Sequence, residues 1–413
     1  MTAAMDAPDA RGVRRIDMVS EHASPLAVLG GEDAGGQNVV VAELATRLAR
    51  RGAEVVVHTR RDSTVLPDRV ELAPGVVVNH IAAGPPAEVP KDELFPYMDS
   101  FADRLSDAWA EAPPDVVHTH FWMSGYAGVQ AARRHHLPVA HTFHALGVVK
   151  RRHQGAADTS PRNRLAVESQ LLRSVDRVIA TCEDEVRELV ALGADPTRIS
   201  VVPCGVDLAS FTPSAPRRHQ RLRVLSLGRL VPRKGVDDVI RAVASIPDAE
   251  LTVAGGPTAD TLVLDPEVGR LAALAEALGA AGRVRFVGRV DRADVPRLIA
   301  EHDLAVCVPW YEPFGIVPIE IMASGRPVVV SSVGGLVDSV VDGVTGLVVP
   351  PRDPAALARA IARLAADPPL RRRLGTAGAA RSRERYSWEV IAEQVEQVYR
   401  LLVNSGVSEG ARS

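Results

Sequence analysis

Lysine is nearly absent: of 48 basic residues only Lys91, Lys150 and Lys234 are not arginine. The scarcity fits a coding bias toward arginine and alanine, and it makes each remaining ammonium worth locating. Cysteine is as rare, with Cys182, Cys204 and Cys307 widely spaced and odd in number. That pattern supplies neither a disulfide framework nor a zinc ribbon, so a reducing compartment is expected. No apolar run approaches the roughly 20 residues that span a bilayer. The opening stretch MTAAMDAPDARGVRR lacks the apolar core of a secretory signal. A cytoplasmic protein with no integral membrane span is the expectation. Net charge is −3, with 51 acidic residues set against the basic ones, so no polyanion-seeking face is expected and nucleic acid is not a partner.

What is present, over 413 residues, is enough chain for two domains with good cores. Short apolar runs alternate with helical periodicity. RRIDMVS is followed by a glycine-rich loop, then by NVVVAELATRLARRG, in which Val40, Val41, Leu44 and Leu48 recur at helical spacing. Asn38 is placed to cap that helix and Gly52 to end it. EVVVHT, VVVNHIAA, DVVHTHF, PVAHTFH, RVIATCE and ISVVPCG read as further strands. Residues 206–220, rich in Pro, Ser and Arg, read as a linker, after which the alternation restarts and runs to PVVVSS. The fold class is α/β: two doubly wound, mostly parallel sheets facing an interdomain cleft, with domains at 1–205 and 206–387. The amphipathic helix of about 388–413 is expected to cross back onto the first domain.

Ligands of such sheets bind beyond the carboxyl ends of the strands, so the loops there carry the chemistry. In GRLVPRKG, Arg229 and Lys234 flank the amino end of a helix, where backbone N–H groups already favour an anion such as a diphosphate. The same two cations also fit a solvated surface loop. A phosphate-binding P-loop does not fit, because the glycine spacing and the Ser or Thr after the lysine are missing. In PWYEPFGIVPIE, Glu312 lies in a loop and Glu320 in the first turns of a helix, and a carboxylate pair accepts hydrogen bonds from sugar hydroxyls. Taken singly, Glu320 also fits dipole compensation and Glu312 a turn before proline. Gly35 and Gly36 permit close backbone approach to a phosphate or sugar, but no GxGxxG fingerprint accompanies them, which argues against a dinucleotide dehydrogenase. His118, His120, His141 and His144 cluster along two strands. Without a nearby Cys or carboxylate to complete a set, hydrogen bonding to a polar ligand fits them better than a metal.

In order along the chain, GGEDAGGQN, HTHFWMSG, HTFHALGVVK, GRLVPRKG, FVGRV and EPFGIVPIE resemble the retaining GT-B glycosyltransferases of family 4, over residues 14–400. The pattern is most similar to the inositol-phosphate N-acetylglucosaminyltransferases of the mycothiol pathway and to sucrose-phosphate synthase-like enzymes, with antibiotic-pathway relatives also in view. The resemblance implies a nucleotide diphosphate sugar donor, UDP- or GDP-linked, in the second domain and a small-molecule acceptor in the first. Arg229 and Lys234 would hold the diphosphate, Glu320 the ribose, and Glu312 the sugar hydroxyls with the backbone around Phe314, Gly315, Ile316 and Val317. The backbone at Val287–Val290, including Gly288 and Arg289, would line the base pocket; Gly36, beside Gly35, and His144 would meet donor phosphate and sugar. Catalytic work would fall to Arg229, Lys234, Glu312 and His144, with no metal and no cofactor.

On the acceptor side the resemblance points to Asn38 and to the positions that would hold an acceptor phosphate, here Lys91, Phe121, Ala145 and Arg164. Phe121 and Ala145 replace a tyrosine and a threonine. Two hydrogen bonds to a charged group, roughly 1.5–3 kcal/mol each, are thereby removed. The expected acceptor is a thiol, thione or carboxylate-bearing metabolite rather than inositol phosphate. An inositol-phosphate transferase, or an epimerase or hydrolase of nucleotide sugars on the same fold, remains the alternative. Oligomeric state is left open, a homodimer included, and Lys150 is left without a role.

Overall fold

The computed structural model describes residues 12–27, 36–215 and 220–410. The chain divides into two compact units. The first takes the residues up to Thr181, Val186–Val202 and the C-terminal stretch from Ile391; the second takes Cys182–Glu185 and Pro203–Val390.

The first unit is built on strands β1 (Arg15–Val19), β2 (Glu54–Arg60), β3 (Arg69–Ala73), β4 (Val76–Ile81), β5 (Val116–His120), β6 (Val139–Thr142), β7 (Arg177–Ala180) and β8 (Ile199–Val201). They lie in the order β3-β4-β2-β1-β5-β6-β7-β8, parallel except for the β3–β4 pair. Helices such as Gly36–Arg50, Met98–Glu111 and Trp122–Arg134 separate the strands in the chain. Strands covered on both faces must be apolar along their length, and β2 is buried at every residue after its first. Among the polar residues buried on these strands is Asp17 in β1, whose carboxylate accepts from Trp109 Nε1 at 2.8 Å and meets His58 Nε2 at 2.7 Å. A buried charge needs such partners.

The second unit has six parallel strands: β9 (Leu222–Leu227), β10 (Ala249–Ala254), β11 (Val284–Gly288), β12 (Leu304–Cys307), β13 (Val328–Ser331) and β14 (Leu347–Val349). Their order is β11-β10-β9-β12-β13-β14. One apolar core runs from Val224 and Leu251 on the strands to Ile240, Leu357, Ile361 and Leu374 on the helices.

Three expectations are corrected. Residues 206–215 are not a free linker: Val206 donates its N–H to Tyr386 O at 2.7 Å and pairs with Ser387, while Phe211 is buried. Arg326 fixes the end of that stretch by donating to Ser214 O at 3.0 Å. Asn38 does not cap its helix, which begins two residues earlier at Gly36; its side-chain amide donates to Ser24 O at 2.9 Å instead. Strand β3 is an addition, half-exposed and paired antiparallel at the sheet edge, where no apolar run is needed.

The last helix, Trp388–Gly410, begins in the second unit and continues in the first. In the first unit its Tyr399 hydroxyl meets His118 Nδ1 at 2.7 Å and Glu396 pairs with Arg51 at 2.6 Å. In the second, Trp388 is buried against Gly205, where a Cβ would lie 2.4 Å from the indole. Gly205→Ala is expected to destabilise the protein by about 1–3 kcal/mol through overpacking, read as a lower midpoint of denaturant unfolding.

Candidate active site

In each sheet the strand order reverses once, between β1 and β5 in the first unit and between β9 and β12 in the second. At such a reversal the following loops part and leave a crevice, the usual ligand site of doubly wound sheets. In the second unit the two loops are Gly228–Gly235, after β9, and the stretch from Val308 to Gly315, after β12.

The first loop closes with a 3₁₀ turn, Pro232–Lys234, that ends on Gly235 at φ +70°. A Cβ there would sit 2.3 Å from Val308 O, so only glycine lets the loop lie against the β12 loop. The two are tied by Trp310 N–H donating to Arg233 O at 2.8 Å. Lys234 Nζ donates to Glu312 Oε2, and both side chains are largely buried. Burial pushes the Glu312 carboxyl up, but the charges of Lys234, Arg233 and Arg229, with the hydrogen bond from Lys234, outweigh it and hold the group below its ordinary range. Glu312 is held from behind by the loop after β13. There Gly334, at φ +48°, has no room for a Cβ against Glu312 O, and Gly335 N–H donates to that oxygen at 3.3 Å. Arg229 is exposed, close enough for its charge to act on Glu312.

Beyond Glu312, Phe314 is buried and Gly315 starts the helix Ile316–Ala323, whose first residues Ile316 and Val317 are half-buried. Glu320, on its second turn, is buried and paired with Arg292 at 2.5 Å. Arg292, stacked on Phe211 at 4.8 Å, was not singled out from the sequence, nor was Arg233. One arginine among 45 gives no signal; only its place after β11 does. Gly288 is buried at the end of β11, and Arg289 is exposed with its N–H bonded to Pro257 O at 2.8 Å. An open cavity nearby is lined by Val287, Arg289, Val290, Asp291 and Arg297.

Four histidines of the first unit, His118, His120, His141 and His144, lie on or just after β5 and β6. His120 Nδ1 meets His144 Nε2 at 3.0 Å, and His118 Nε2 meets Thr142 Oγ1 at 2.9 Å. Burial lowers all four histidines, His141 and His144 to about 3, helped by their neighbours' charges. They are neutral hydrogen-bonding groups at neutral pH. Among the described residues no three His, Cys, Asp or Glu side chains group to hold a metal ion. Gly35 lies outside the described residues, and Gly36 is exposed at the first turn of its helix.

The remaining acceptor-side positions are spread over three segments. Lys91 opens a 3₁₀ turn and is half-buried. Phe121 is buried at φ +78°, with the Arg164 guanidinium 5.1 Å over its ring. Arg164 itself is buried and engaged: it donates to Glu168 Oε1 at 2.8 Å, to Ala145 O at 2.5 Å and to Ser160 Oγ at 3.3 Å. Burial pushes the Glu168 carboxyl up, only partly offset by Arg164 and by Gly147 N–H. Lys150 sits on the helix Gly147–Gln154 and bonds Ser160 Oγ at 2.9 Å and Asp158 at 3.0 Å.

Residues 211–381 match the family described as glycosyl transferases group 1, and residues 34–210 match glycosyltransferase family 4. The chain is 39% identical to D-inositol 3-phosphate glycosyltransferase of Streptomyces bingchenggensis, over 94% of this chain and 90% of that one. Among solved structures it is similar to sucrose-phosphate synthase from Thermosynechococcus elongatus, with a TM-score of 0.87 and 34% identity over 95% of this chain and all of that one. The fold alone is shared with Anabaena HepE, solved in complex with UDP-glucose, at a TM-score of 0.71 and 21% identity over 93% and 98% of the two chains. With its two parallel-sheet units and matches along both, the chain belongs to the family 4 glycosyltransferases of GT-B fold.

Proposed function

We propose that the second unit binds a nucleotide diphosphate sugar and that the enzyme transfers its glycosyl group, with retention at the anomeric carbon, to a small polar acceptor other than inositol phosphate. The observation that carries the donor reading is the Lys234–Glu312 pair at the strand-order reversal of the second sheet, with Arg229 and Arg233 beside it. An ammonium has three donors, so Lys234 can keep Glu312 and still reach a diphosphate. The barrier to glycosyl transfer lies in parting an anionic leaving group from an oxocarbenium-like centre. Fixed positive charge on the diphosphate is therefore the main help the protein can give, and Arg229 with Lys234 supplies it without a metal or other cofactor. Glu312, kept ionised by its neighbours, is suited to accept from sugar hydroxyls. Glu320, already paired with Arg292, is oriented to accept from the ribose.

The acceptor reading rests on Phe121, Ala145 and Arg164. The first two bring no side-chain hydroxyl, and each nitrogen of Arg164 already donates once, to Glu168, Ser160 and Ala145 O. An acceptor phosphate would have to compete with a buried carboxylate for that guanidinium. The relatives named as inositol-phosphate enzymes favour the other reading, so an acceptor panel decides. UDP-, GDP- and ADP-sugars are tested against inositol phosphate, small thiols, thiones and carboxylates, with product configuration read by NMR. Retention is expected, with inositol phosphate a poor acceptor; inositol phosphate as the best acceptor would overturn the reading, and donor loss without any acceptor would point to a hydrolase.

Lys234→Ala is expected to lower kcat at saturating donor by roughly 10²–10³, as losing one transition-state donor does elsewhere. Near-normal turnover would sink the donor assignment. The same variant has a stability signature. The folded pKa of Glu312 lies below 4.5, so the stability it contributes is present above that pH and lost as pH falls through the lower folded value. Lys234→Ala is thus expected to cost about 1–3 kcal/mol at pH 7, with the gap to wild type narrowing in acid, followed by urea denaturation across pH.

A further inference from the structure

Arg352 lies in the loop after β14, just before the helix Pro354–Ala366, and is exposed. Its φ is +57°, in the left-handed region that glycine enters freely and that other residues keep only where their surroundings enforce it. The enforcing group is Trp310. The Arg352 guanidinium lies 4.1 Å from the centroid of the indole ring, well within the reach of a cation–π contact.

Trp310 is half-buried and stands in the β12 loop, two residues before Glu312. Around it the ends of three other strands of the sheet meet. From the loop after β9, Arg233 O accepts from the Trp310 N–H at 2.8 Å, and the Arg233 guanidinium donates to Tyr311 O at 3.4 Å. From the end of β13, Ser331 Oγ donates to Pro309 O at 2.6 Å. From the loop after β14 comes the Arg352 stack. Asp238, in the first turn of the helix Val236–Ala244, feels the same group of side chains: burial and Asp237 push its carboxyl up, while Arg241, Arg352 and the Trp310 indole N–H act against that rise. The backbone on both sides of Trp310 is thus held by hydrogen bonds, and the indole by a cation.

As a device for stability alone this is a poor one. An exposed cation–π contact gains little more than the backbone strain it offsets, so glycine at 352 would serve the fold as well. What glycine would not supply is a fixed indole beside the Lys234 turn. We propose that Arg352 is a positioning residue for the donor site: by covering the indole of Trp310 it fixes the loop that presents Glu312 to Lys234 and to the bound nucleotide sugar. The proposal rests on the donor reading above and deepens it. Arg352 touches no reacting atom and undergoes no covalent change; it acts through Trp310.

The test titrates the full chain with UDP, GDP and ADP by calorimetry and compares variants on whichever of the three the wild type binds tightest. Arg352→Gly is expected to weaken that Kd about threefold, the worth of one exposed cation–π contact. Its midpoint of denaturant unfolding is expected to stay level or rise, because glycine takes the left-handed conformation without strain. A merely structural role would lower affinity and midpoint together. Arg352→Lys keeps a cation over the ring and is expected to recover part of the loss. In a Trp310→Leu background Arg352→Gly is expected to add nothing, since a residue that acts through the indole has no effect once the indole is gone. An unchanged Kd in Arg352→Gly, a loss of affinity matched by a fall in midpoint, or the same threefold loss in the Trp310→Leu background overturns the proposal. A wild type that binds none of the three nucleotides removes the donor reading and this proposal with it, whereas tight binding left untouched by Arg352→Gly removes the proposal alone.

Discussion

Both units depend on one topological constraint, the single reversal of strand order in a parallel sheet. Successive parallel strands added on one side of the first strand send their crossovers to one face; when the chain returns to the other side of that strand, the crossovers pass to the opposite face. The loops on either side of the reversal then diverge. In the second unit the Gly228–Gly235 loop and the Glu312 loop flank the reversal, tied by Trp310 N–H to Arg233 O and by Lys234 to Glu312. In the first the Glu21–His22 segment and the start of the Trp122–Arg134 helix flank it, joined by Ser124. Two unrelated sets of side chains occupy equivalent places in two sheets. The difference in chemistry follows from the residues alone: three basic side chains act on Glu312, whereas the histidines of the first unit are kept neutral by burial.

Much of this was legible because the physics that makes a buried parallel strand is local. EVVVHT and DVVHTHF are apolar and β-branched wherever both faces must be covered, and the boundaries fall within a residue or two of the runs. Lys234 and Glu312 stood out because each lies in a loop between a strand and a helix. Their direct pairing did not, since it depends on how closely the two loops pack, and that is decided by Gly235 against Val308 and Gly334 against Glu312, contacts between residues far apart in the chain. Arg292 was hidden by abundance, Phe211 by its place in a stretch whose composition suggests a linker. Trp310 and Arg352 carried no spacing signal, because they meet from loops after two different strands.

The rarity of lysine acquires a physical reading at one position. Arg164 and Arg292 each meet a buried glutamate in an ion pair, and three of the five N–H groups of Arg164 go to Glu168, a carbonyl and a hydroxyl, one from each nitrogen. Such pairs hold a planar guanidinium in one orientation, because its donors point in fixed directions. Lys234 meets Glu312 through one atom, on a stem that can rotate, and one hydrogen bond leaves two of its three donors to spare. An ammonium can hold the carboxylate in the free enzyme and turn toward a diphosphate without surrendering it. In a chain that uses arginine almost everywhere else, that distinction is a reason for lysine to persist at the strand-order reversal of the second sheet.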